Sequence, residues 1–342
     1  MNIYRSTLHT LHVPPHEFYD GALIPPYESA ARADIIDAAL LAAGYTDEHA
    51  IEPVSRAALE RIHRPDYLDY LASIYPAWCA AGGAIEAVLP STLAVRWMQH
   101  RSTNPLALAG YYTFDLSAPI VAGTWIASLD AASMAATAAH AALAGTLLSY
   151  ARCRPPGHHA GSDMCGGYCY LNNAALAADI LSQRGPVAVL DIDIHHGNGT
   201  QQIFADRADV LFVSLHGHPD VCYPYFMGFA DEHGVAAGKG ATLNIPLAFG
   251  CDDATYLRHI DVALAAIRAH GATALVLSAG FDTYAGDPLG GFALTSQCYT
   301  EIGSRCRALD IPIVVIQEGG YALTALGDNV VALLDGLTGR SR

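Results

Sequence analysis

Asp193 and His195 in DIDIHHGNGT (191–200) and Asp282 in SAGFDTYAGDPLG (278–290) have the residue types and spacing of ligands for one catalytic metal. Asp193 and His195 lie two apart, and in an extended segment that spacing turns both side chains to one face. Two carboxylates and an imidazole leave coordination positions open for water or substrate, whereas a structural zinc site closes its tetrahedron with four protein ligands. Oxygen and imidazole donors suit zinc, iron, cobalt or manganese, so the set defines a metal site better than it defines the metal.

Two further groups are suited to work beside such an ion. His158 and His159 sit in PPGHHAG, where prolines and glycines fix a loop and bring backbone close to a ligand. Adjacent imidazoles can form a metal pair or a proton-transfer pair. Asp191, just before the ligand segment, and Asn198, just after it, can orient them. A carboxylate holds an imidazole and raises its proton affinity, while an amide only orients it. Tyr321 follows Glu318-Gly319-Gly320, and a phenol there can donate to an oxygen that gains negative charge.

These clusters need a scaffold that converges them, and the apolar pattern supplies one. Runs 147–153, 187–191, 210–215, 274–278 and 313–317 read as buried strands, and 172–184, 252–270, 296–309 and 324–337 read as helices, with apolar residues three and four apart. Strands alternating with helices predict an α/β fold with a central, mostly parallel sheet flanked by helices. RCRPPGHHAG, DIDIHHGNG, SLHGHPD, SAGFDTYAGD and EGGY each begin where a strand ends. In open parallel sheets ligands bind beyond the carboxyl ends of the strands. Further helices are expected over 28–43 and 56–74, and the stretch at about 80–123 reads as a long excursion with a function of its own, a lid or an oligomer contact. With no internal repeat or low-complexity linker, residues 1–342 are expected to form one domain.

Composition narrows the function classes. A formal charge of −15 with 18 Lys plus Arg argues against nucleic-acid binding and is compatible with a small cationic substrate. The N-terminus lacks the pattern of a secretory signal and no stretch of apolar residues is long enough to span a membrane, so a soluble cytoplasmic protein without membrane partners is expected. The eight cysteines form no C-x-x-C pair and read as reduced thiols; Cys165 and Cys169, four apart, read as packing residues.

Taken together, RPPGHHA, GGYC-LNN, DIDIHHGNGT, GFDTYAGDPLG and EGGY resemble the zinc-dependent deacetylases of the arginase–deacetylase superfold. Within them the chain is most similar to the bacterial acetylpolyamine amidohydrolases, along its whole length, including EFYDGALIPPYE and the excursion ending APIVAGTW. The resemblance implies a three-layer fold, one zinc ion on Asp193, His195 and Asp282, His158 and His159 as the base and acid pair, and Tyr321 as oxyanion donor. It also implies that Gly167 and Tyr168 line a narrow acyl tunnel with Tyr225 opposite and Leu289 at the rim, that Asp191 and Ser214 hold a structural potassium ion, and that the excursion forms a homodimer. The implied substrate is a small cationic N-acetylated amine. The sequence departs from the amidohydrolases at Leu106 and Ser117, where they carry glutamates that recognise distal ammonium groups; Asp115, Glu17 or Asp20 can substitute. That departure leaves acetyl-lysine and other N-acyl amines as alternative substrates.

Two rivals remain. A binuclear manganese ureohydrolase of the same superfold would place aspartates where this chain has Gly197 and Gly280, which favours one metal. A silent ligand-binding sensor would not require the two histidines and Tyr321.

Overall fold

The computed structural model describes residues 1–95, 97, 98 and 100–340; positions 96, 99, 341 and 342 of the expected single unit lie outside the described residues. The strands are β1 (Asn2–Tyr4), β2 (Glu17–Tyr19), β3 (Ala22–Ile24), β4 (Leu148–Ala151), β5 (Val187–Asp191), β6 (Val210–Gly217), β7 (Thr242–Leu247), β8 (Ala274–Ala279) and β9 (Ile313–Gln317). The α-helices are α1 (Ala30–Ala42), α2 (Arg56–Leu59), α3 (Pro65–Ala80), α4 (Pro105–Leu108), α5 (Thr124–Leu143), α6 (Asn173–Leu181), α7 (Asn198–Phe204), α8 (Asp253–His270), α9 (Ser296–Arg307) and α10 (Leu323–Thr338). Seven strands form one sheet in the order β1-β4-β9-β8-β5-β6-β7, and every pairing in it is parallel, so the sheet expected to be mostly parallel is wholly so.

Alternation along the strands makes three layers. In β9, Ile313 and Val315 enter one core with α1, α8, α9 and α10, while Val314 and Ile316 enter the other with α3, α5 and α6. In β5, Ala188 and Leu190 join the first core and Val187 and Val189 the second. A strand buried on both faces needs the unbroken Val/Leu/Ile composition of these segments.

The strand order creates a switch point. From β5 the chain proceeds to β6 on one side, and from β8 it proceeds to β9 on the other, so the carboxyl ends of adjacent β5 and β8 open into a crevice. Register aligns that edge: Asp191 pairs with Ser214 of β6 and with Ser278 of β8.

Several elements differ from the expected ones. The helix expected over 56–74 is two helices, α2 and α3, the second opening with Pro65 in its first turn, the position a proline favours. α5 was not expected: it is so rich in alanine that it offers no sharply polar face, and buried residues lie on most of its surface. The edge strands β1 and β7 also escape the pattern, β1 by its three-residue length and β7 by Asn244 and Pro246; proline is tolerated at a sheet edge. The excursion is partly ordered into the body. Val88 bridges Ile120, Thr113 bridges Cys165, and Tyr112 is buried, while Ile85, Val95, Trp97, Met98 and Leu106 stay exposed. All eight cysteines are free thiols. No helix among the described residues is long and apolar enough to cross a membrane.

Candidate active site

Asp193 and His195 follow β5, and Asp282 follows β8, one on each side of the switch point. Their donor atoms lie within 4.8 Å of one another. His195 Nδ1 is 3.0 Å from Asp193 Oδ1 and 3.1 Å from Asp282 Oδ2, so the three side chains face a common point. Backbone amides fix them: Ile194 N–H donates to Asp282, Gly319 N–H to Asp193, and His195 N–H to Asp193. Both carboxylates are fully buried, and two such charges in one pocket demand a cation. Burial disfavours their charge, but the neighbouring imidazoles outweigh it at Asp193, whose carboxyl is held low; at Asp282 burial and the Asp193 charge win, raising it to about 7. His195 Nδ1, despite burial, is driven well above its ordinary range by the two carboxylates. The donor set fits a divalent ion, which would replace that shared proton.

Glycines are required where these groups crowd. A Cβ on Gly280 would fall 2.2 Å from Asp193 Oδ2, and one on Gly319 2.5 Å from Asp282 Oδ2. At Gly197 it would fall 2.3 Å from Asp191 Oδ2. Positions 197 and 280 therefore have no room for the extra carboxylates of a second metal site.

The rings of the tandem histidines lie with centroids 4.0 Å apart and tilted by 46°, and their environments differ. His158 Nδ1 lies 3.0 Å from Asp191 Oδ2, and although burial opposes its charge, Asp191 and Asp193 raise it to about 10. His159 Nδ1 lies 2.7 Å from Asn198 Oδ1; burial and the neighbouring imidazoles hold it well below the ordinary range. Glu318 fixes their loop by accepting from Gly157 N–H and His158 N–H, and Asn172, the N-cap of α6, donates to Ala160 O. His63, whose part sequence reasoning missed, ties the same loop down: Nδ1 meets Gly161 O and Nε2 accepts from Asn172 N–H.

Above them lies a cavity of about 500 Å³, lined by His159, His195, Gly167, Tyr168, Tyr321, Leu289 and Tyr225 among others. Tyr321 is buried, with Asp287 accepting from its backbone N–H and the Arg32 guanidinium 4.9 Å from its ring; its hydroxyl makes no hydrogen bond to the described protein. Burial pushes that hydroxyl well above its ordinary range, so it remains a donor. Tyr168 is held at φ 65 and donates to Glu17, and Leu289 N–H donates to Asp287.

One assignment is corrected. Tyr225, expected opposite Tyr168, is half exposed at the mouth; the ring against the histidines is Tyr223, 5.0 Å from His159 and stacked on Phe114. The two tyrosines flank one proline in CYPYF, and the turn at Tyr225, φ 66, directs its ring outward. Asp191 and Ser214 lie side by side, with Ser214 Oγ 2.8 Å from His216 Nδ1. Of the acidic substitutes, Asp115 and Asp20 line the cavity, Glu17 is buried behind Tyr168, and Leu106 is on α4, outside the cavity lining.

A histone deacetylase domain profile matches residues 26–337. Acetylpolyamine amidohydrolase 1 of Pseudomonas aeruginosa is 43% identical over 339 residues, covering 98% of each chain. Acetylpolyamine amidohydrolase of Mycoplana ramosa is 40% identical, covering 99% of this chain and 100% of its own. The crystal structure of an acetylpolyamine aminohydrolase from Burkholderia pseudomallei superposes with a TM-score of 0.95 at 37% identity, covering 99% of both chains.

Proposed function

Given that the chain belongs to the histone deacetylase domain family, we propose that it is a zinc-dependent amidohydrolase that removes acetyl groups from small cationic N-acetylated amines, acetylpolyamines above all. The observation that carries this reading is the convergence, on one cavity floor, of an Asp-His-Asp set, two differently held imidazoles and a phenol whose hydroxyl has no partner among the described residues.

Asp193, His195 and Asp282 would hold the zinc ion, which when bound supplies Lewis acidity toward the acyl carbonyl and toward water. His159, neutral and directed by Asn198, accepts the proton of the attacking water. His158, kept cationic by Asp191, adds positive charge beside the developing oxyanion. Tyr321 donates its hydroxyl to that oxyanion. Proton delivery to the leaving amine falls to the coupled imidazole pair. Gly167, Tyr168 and Tyr223 exclude water around the acyl arm, and Leu289 contributes to the rim.

Three finer elements belong to the same proposal. The excursion exposes Ile85, Val95, Trp97, Met98 and Leu106, apolar side chains that a homodimer contact would cover, which light scattering tests; a strictly monomeric protein at micromolar concentration would remove it. Potassium at Asp191 and Ser214 predicts that exchanging potassium for caesium lowers thermal stability. The location is cytoplasmic, as compartment-specific labelling would report.

The decisive assay is acetate release from N-acetylputrescine, with chelator and then with zinc restored. Turnover abolished by chelation and recovered with zinc supports the reading; no turnover over a panel of acetylated amines would favour a ligand-binding sensor. A large preference for an acetyl-lysine peptide would move the substrate from polyamine to protein.

A further inference from the structure

Resting on the deacetylase reading, the arrangement of charge around the cavity specifies how many cations the substrate carries. Above the floor, the described lining holds two acidic side chains, Asp115 and Asp20, and no basic one. Asp115 is saturated. Its Oδ2 accepts from Ser117 Oγ at 2.7 Å, Tyr223 hydroxyl at 2.7 Å and Gly167 N–H at 2.9 Å, and its Oδ1 accepts from Ser117 N–H. A carboxylate with these donors joins the excursion to both tunnel walls and has little capacity left for an ammonium. Glu17, behind Tyr168, is buried and accepts from that phenol.

Asp20 is the contrasting case. It is exposed and, among the described residues, makes no hydrogen bond or ion pair. It is carried there by a two-residue hairpin: β2 and β3 pair antiparallel, and Asp20 and Gly21 both have positive φ, 46 and 86, the turn that an Asp-Gly pair favours. The same hairpin brings Tyr19 to the mouth, where Tyr225 and Phe249 also present partly exposed rings. Aromatic faces beside a single carboxylate suit an alkylammonium group. The rest of the rim is apolar, Phe18, Val221 and Leu289, and would strip water from a second ammonium without pairing it.

We infer that the site selects an acetylated amine with one distal cation, read by Asp20 and the rings of Tyr19, Tyr225 and Phe249, and that the hairpin of β2 and β3 is the specificity element. Acetylated diamines are then preferred over acetylated triamines and tetramines.

The test uses the full zinc-loaded protein at 0.15 M salt, where steering by the net charge of −15 is screened beyond about 8 Å. kcat/KM is measured for N-acetylputrescine, N8-acetylspermidine, N-acetylspermine and the uncharged N-pentylacetamide. The expected order puts the diamine first, with N-pentylacetamide and the tetramine each lower by about tenfold or more. Asp20→Asn should lower kcat/KM for the diamine about fivefold, through KM, and leave N-pentylacetamide unchanged. Equal or better turnover of the triamine or tetramine, or an Asp20→Asn variant indifferent to substrate charge, overturns the inference while leaving the deacetylase reading intact. No turnover of any of the four compounds overturns both.

Discussion

Replacing Tyr321 by phenylalanine removes one O–H from the cavity floor and little else. The ring stays packed near Arg32, its backbone N–H stays bonded to Asp287, and no protein acceptor loses a donor, because the hydroxyl has none among the described residues. Stability should therefore change by less than about 1 kcal/mol, a Tm shift below about 2–4 °C. In the reaction the loss is much larger: one preorganised donor to a developing oxyanion is worth about 10²–10³ in kcat, or about 2.7–4 kcal/mol. The loss should appear in kcat more than in KM, since the bond strengthens only as charge develops. Steady-state acetate release from N-acetylputrescine, alongside zinc content and a thermal melt, measures all three. A loss smaller than tenfold would refute the oxyanion role, and a large loss accompanied by loss of zinc would show that the phenol serves the metal site instead.

Gly280→Ala forces a methyl group against Asp193, 2.2 Å from Oδ2, and should weaken zinc binding about 10–100-fold in a chelator competition; unchanged affinity would mean that Asp193 is not a ligand. Asp191→Asn removes the charge that holds His158 up near 10, so the alkaline limb of the kcat/KM profile should move to lower pH; an unmoved limb would exclude His158 from the titration. Stability should fall on acidification. His63 and His216 are buried neutral at about 4, below the ordinary 6.5, so their contribution is complete above pH 6.5 and is lost as pH falls toward 4. For His63 the displacement is worth about 3 kcal/mol, and His63→Asn should be less stable at pH 7 with a shallower pH slope in chemical denaturation; an unchanged slope would contradict this.

Much of the site was legible because its chemistry sits in contiguous motifs at strand ends. Asp193 and His195 share one short segment directly after β5, and the tandem histidines share one loop, so proximity in sequence groups them. What brought Asp282 and Tyr321 to the same floor was the strand order, which sequence periodicity does not encode, although five polar clusters after five strands pointed to it. Tyr223 against Tyr225 could not be separated from composition: the backbone turn at Tyr225 decides which ring faces the histidines. His63 gave no local signal, because it acts from 95 residues before His158 through two backbone contacts. The hairpin does leave one, Asp-Gly between FY and AL, embedded in the longer segment EFYDGALIPPYE. α5 shows the opposite limit, a long helix whose small uniform residues leave periodicity almost nothing to register.

The proposed chemistry requires a single ion gripped by Asp193, His195 and Asp282. Crystals grown with zinc, with diffraction recorded on both sides of the zinc absorption edge, test it directly. One anomalous peak per chain is expected, about 2.0–2.2 Å from His195 Nδ1 and from an oxygen of each aspartate. Two peaks at that floor, or one peak elsewhere with those three side chains turned apart, would contradict it.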